Sequence, residues 1–187
     1  MGKTVGGIVL AALALWLWGF LFWGLNPMPY ETWSSTKDDA AAQAALREHF
    51  PEAGTYFIPS RSHSQEQQQA LLDAGPWGFV ELSYAKRTPF EMSTMVYGLA
   101  LNLVFCAVLA LLMHRVRNTA RTYSGRLGVP FWMAVASVLL FEGDDIVWWG
   151  LSAGWQLQQA LYHFVGVFLA GAVLAYFIKG EARERLV

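Results

Sequence analysis

Apolar residues gather into four long runs, about Thr4 to Leu25, Ser93 to Met113, Val129 to Leu151 and Leu157 to Ile178. Each is close to the ~20 residues a helix needs to cross ~30 Å of hydrocarbon, so the pattern predicts four membrane-spanning helices. Between the first run and the second the chain is polar and its period changes. Ser34-Ser-Thr36, the acids after it and Ala40 to Phe50 predict a capped helix stopped by Pro51. Gly54 to Pro59 and Gly78 to Tyr84 predict two short strands, separated by a polar helix about Ser64 to Leu72 that ends near Gly75-Pro76. The expected fold is an all-α membrane protein, a four-transmembrane-helix bundle with a small α/β extracytoplasmic cap in its first loop. Its parts are an anchor at residues 1–25, the cap at 26–91 and a three-helix region at 92–187.

Composition supports this picture, with 55% hydrophobic residues, nine Trp and twelve Phe among 187 positions. The net charge of −1 says less than where the bases sit. Lys3, the connector from His114 through Arg115, Arg117, Arg121 and Arg126, and the tail bases Lys179, Arg183 and Arg185 place both termini in the cytoplasm by the positive-inside rule. The loop between the first two runs, in which acids outnumber bases, then lies outside. The first run is too long and aromatic for a cleaved leader, and no small-x-small site follows Trp16 to Trp23, so a retained anchor is expected. Cys106 is the single cysteine, which rules out an internal disulfide, a Cys-x-x-Cys pair or a thiolate metal cage. Nothing favours nucleic acid as a partner. The lipid bilayer is the expected surroundings.

The Gly54-Thr-Tyr-Phe-Ile-Pro59 stretch, set between one anchor and three further helices, resembles a group of small bacterial integral membrane proteins carrying Gly-x-Tyr-Phe-x-Pro in their outer loop. The resemblance implies a multi-pass protein of the cytoplasmic (inner) membrane. It brings no activity and no site residues.

Candidate chemistry concentrates in the third and fourth runs. Glu142, Asp144 and Asp145 interrupt an apolar helix, where an acid at the centre costs roughly 2.5–3.5 kcal/mol. Glu142 and Asp145 share a helix face, and Asp144 points about 100° from Asp145. A hairpin turning near Gly154 would bring Asp145 to His163 and set Glu142 opposite Gly166. Gln159, Tyr162, His163 and Gly166 share a face of the fourth helix. Two readings follow: an Asp145–His163 pair that pins the hairpin, or a Glu-x-x-Asp plus His site that relays protons or holds a cation. Bis-histidine haem is excluded because His114 and His163 lie at opposite ends, and His49 and His63 read as solvated. No cofactor is expected.

Gly98, Asn102, Cys106 and Ala110 recur every fourth residue, as do Gly166 with Ala170 and Gly171 with Ala175. They read as close-approach seams, within one copy in preference to between copies. Trp16, Trp18, Trp23, Trp148, Trp149 and Trp155 read as interfacial anchors. No phosphate loop, nucleophile elbow or His-Glu-x-x-His motif appears. The expected function is non-enzymatic, an accessory or interaction subunit whose partner is another membrane protein or a second copy. The alternative is a small proton- or cation-handling carrier.

Overall fold

The computed structural model describes residues 2–88 and 91–180. Arg183 and Arg185, the tail bases used in assigning orientation, lie outside these. The chain divides into two compact units, Met1–Trp33 with Glu91–Val187, and Ser34–Phe90.

The smaller unit contains α2 (Asp39–His49), β1 (Gly54–Ile58), α3 (Gln65–Ala74) and β2 (Gly78–Leu82). The strands pair antiparallel with Phe57 opposite Phe79 and Tyr56 opposite Val80. Thr55 hydrogen-bonds Glu81 across them. Ser64 and Gln67 form a capping box at α3, and Gly75 follows its last residue. The cap of α2 differs from expectation. Asp38, not the Ser34 to Thr36 stretch, accepts from the Ala41 amide, and Thr36 bonds the Asp39 side chain instead.

The larger unit contains four helices long and apolar enough to cross a membrane, and they support a multi-pass membrane protein. They are α1 (Gly2–Gly19), continued by a π-helical turn at Phe20–Leu25, then α4 (Met92–Val116), α5 (Tyr123–Trp149) and α6 (Ala153–Phe177). A 3-10 turn at Met28–Thr32 rests on α6. Packing runs in the order α5, α6, α1, α4, with α4 also touching α6 while α4 and α5 barely meet.

Small residues set this order. Gly166 is buried against α1, and a Cβ there would lie 2.9 Å from Leu15 Cδ1. Gly171 takes the ring of Pro130 from α5 at closer range than any side chain allows. Ala170, Leu174 and Ala175 of α6 join Ala11, Ala12 and Leu15 of α1 and Cys106 and Ala110 of α4 in one core. The predicted seams thus close within one chain at these positions. Gly98 differs, since nothing lies within 4 Å of a Cβ built on it.

Several tryptophans turn inward, a departure from interfacial anchoring. Trp23 meets Tyr162 at 5.2 Å and Trp155 at 5.5 Å between ring centroids. Trp18 donates its indole N–H to the Tyr162 carbonyl at 3.0 Å, and Trp16 to the Met95 carbonyl at 3.2 Å. Such interhelical bonds average about 0.6 kcal/mol in an apolar setting. Arg126 also departs from the connector role. It is buried in the first turn of α5, where Nε donates to the Ala175 carbonyl at 2.9 Å and Nη1 to the Arg121 carbonyl. A guanidinium there satisfies a last-turn carbonyl of α6 and complements that helix's negative end.

Gly171→Leu should destabilise the α5–α6 contact by about 1–3 kcal/mol, the range for overpacking a tight site. Gly98→Leu should be near neutral. Thermal unfolding of the two variants in detergent, followed by size-exclusion fluorescence, checks the contrast.

Candidate functional site

The connection between α5 and α6 decides which side chains face each other. Gly150, at φ 62°, takes the left-handed conformation that ends α5, and the N–H groups of Gly150 and Leu151 both reach the Asp145 carbonyl. The turn therefore falls at Gly150 to Ser152, earlier than the expected turn near Gly154. Moving it back shifts the facing positions by about one helical turn. His163 consequently meets Glu142, not Asp145, and its Nδ1 shares a hydrogen bond with Glu142 Oε1. Asp145 accepts instead from Gln156 Nε2 at 3.1 Å. Glu142 does not lie opposite Gly166, which is occupied by α1.

The pair is asymmetric. Glu142 is 6% exposed, and its second oxygen, Oε2, is buried without a hydrogen-bond partner among the described residues. The His163 side chain is 46% exposed and forms part of the wall of a partly open groove of about 330 Å³ between α1, α4 and α6. Leu15, Phe105, Val167 and the ring of Tyr162 supply apolar wall; Asn102 and His163 supply polar groups. Both polar residues sit near the middle of their helices. Asn102 has no hydrogen-bond partner among the described residues.

The other expected site residues divide. Tyr162 lines the same groove as His163, with its ring 5.3 Å from the imidazole, and also stacks on Trp18 at 6.3 Å and lies beside Phe22 at 5.5 Å. Gln159 is half-buried, and Asp144 is exposed on the far side of α5 from the pair. Among the described residues no three His, Cys, Asp or Glu side chains gather as a metal site would need, so Glu142, Asp145 and His163 do not form a three-ligand cluster. Gln156 and Asn102 matter more than their sequence context suggested. Gln156 belongs to the polar entry of α6, and a mid-helix amide in an apolar run is itself a signal, which the small-residue spacing around Asn102 masked.

Chemically, a carboxylate beside an imidazole holds or passes a proton, and the imidazole's second nitrogen remains for a third group. Compared with protein-family models, curated proteins and solved structures, the chain matches none of them.

The register is directly testable with cysteine pairs in a Cys106→Ser background. Glu142→Cys with His163→Cys should be joined efficiently by a short bifunctional thiol crosslinker, and Asp145→Cys with His163→Cys much less. Mobility on a non-reducing gel reports both.

Proposed function

We propose that the protein is a non-enzymatic, multi-pass protein of a bacterial cytoplasmic membrane, with both termini in the cytoplasm, serving as an accessory or interaction subunit of a membrane complex. The observation that carries this reading is the setting of Asp144. Its helix-face neighbours Leu140, Phe141, Val147 and Trp148 are 58–76% exposed, which makes the face apolar and outward. Asp144 has no ion-pair or hydrogen-bond partner among the described residues. It lies about 7.5 Å along α5 from Trp149, by the helical rise. An aspartate facing acyl chains costs up to roughly 2.5–3.5 kcal/mol at a helix centre and less towards an end. A basic or hydrogen-bonding group from a neighbouring membrane helix removes that cost, which favours association through this face. Lys3, the bases of the α4–α5 connector and Lys179 support the orientation.

Asp144→Leu should leave insertion and folding intact, since it replaces a charge by an apolar group on an apolar face. It should cut recovery of the partner, or of the second copy, about tenfold in a mild-detergent affinity purification analysed by native mass spectrometry. Equal recovery would count against the reading.

A second reading, proton or cation handling, draws on one specific observation: the buried Glu142 connects through His163 to an open groove. In that case Glu142→Gln should abolish proton-linked flux in proteoliposomes while protein yield stays unchanged. Flux equal to the parent protein would remove this alternative.

A further inference from the structure

We propose that the groove between α1, α4 and α6 is a binding site for a small, membrane-dissolved molecule with a ring-sized apolar body and a single hydroxyl head. The inference rests on the insertion of the four helices proposed above. It does not depend on the Asp144 face, and it involves a different side of the molecule.

Three observations lead to this ligand class. The first is size and lining. About 330 Å³ is at the small end of small-molecule sites, which are mostly apolar with a few fixed polar groups. Leu15, Phe105 and Val167 provide the apolar part here. Gly166 also lines the groove, where Leu15 packs on its backbone.

The second is the state of the two polar groups. Asn102 presents an amide with no bond of its own among the described residues. His163 is held by Glu142 through Nδ1. A neutral imidazole that gives its Nδ1 proton to the Glu142 carboxylate presents Nε2 as an acceptor. The groove then offers the imidazole as an acceptor and the Asn102 amide as a donor beside its own carbonyl. A hydroxyl satisfies both at once, giving its proton to Nε2 and accepting from the amide. An ether or a bare hydrocarbon leaves at least one of them unmatched, at a cost comparable to a lost hydrogen bond.

The third is location. Asn102 and His163 lie near the midpoints of α4 and α6, which in an inserted helix is deep in the hydrocarbon. Phospholipid headgroups do not reside at that depth. A compact apolar molecule with one hydroxyl does, and the groove is partly open to it.

The test uses the full chain in phosphatidylcholine nanodiscs, with 2-naphthol as probe and 2-methoxynaphthalene as the control lacking the donor. Equilibrium dialysis against empty nanodiscs measures retention. Saturable binding of 2-naphthol about tenfold tighter than the ether is expected, with Asn102→Leu reducing the preference about tenfold. Leu101→Trp, at an exposed position on the groove wall, should block both probes. Equal binding of the two probes, or naphthol binding unchanged by both substitutions, would overturn the proposal. So would a photocrosslinker at position 101 that captures another polypeptide in place of the probe, which would make the groove a helix seat. A chain that fails to enter nanodiscs at all would instead defeat the membrane-spanning reading, a separate outcome.

Discussion

Close approach on two sides of α6 is the constraint on which the rest of the helical unit depends. Gly166 admits Leu15 and Trp18 of α1 on one side, and Gly171 admits the Pro130 ring of α5 on the other. A helix pressed this tightly by two neighbours has little rotational freedom, because dispersion contacts in an apolar medium reward only the closest fit. Fixing the rotation of α6 fixes where His163 points. It lies between Glu142 on α5 and the groove lined by α1 and α4. Pro130 contributes no N–H to its own helix, and its ring packs on the backbone of Gly171.

Polar groups in this unit follow a consistent rule. Those turned towards another helix are hydrogen-bonded across the interface: Glu142 to His163, Gln156 to Asp145, Arg126 to the Ala175 carbonyl, and the Trp16 and Trp18 indoles to carbonyls of α4 and α6. That is the expected behaviour where an unpaired polar group has no water to fall back on. The exceptions are few and lie apart from one another. Among the described residues, Asp144 looks outward from α5, Asn102 looks into the groove, and Glu142 Oε2 and Gln158 Oε1 are enclosed. Asp144 and Asn102 face surfaces that another molecule can reach.

The aromatic residues illustrate how a compositional signal divides once the helices pack. Trp148 is exposed on α5, near its end, as an interfacial anchor would be. Trp18 and Trp23 form ring contacts with Tyr162, and Trp23 also with Phe22, Tyr30 and Trp155, which join the first helix, its π-helical extension and α6. Position near a helix end fits both roles, and only the direction of the side chain separates them.

Much of the architecture was legible along the chain, because it rests on local chemistry. Apolar run length determined the four long helices, Ser64 with Gln67 and Gly75 determined the limits of α3, and alternation determined the two strands. The small residues of α6 announced close packing as well. What periodicity cannot encode is the phase of one helix against the next. That phase is set by the turn at Gly150, whose left-handed backbone ends α5 before the glycine at 154. A shift of a few residues exchanges one carboxylate for another as the partner of His163, because positions three or four apart share a helix face. The sequence by itself determined which elements form and which residues are costly in an apolar environment. The tertiary structure alone decided that Glu142 pairs with His163, that Asp145 turns to Gln156, and that Asn102 opens on a groove, since each depends on distances between helices that no local pattern contains.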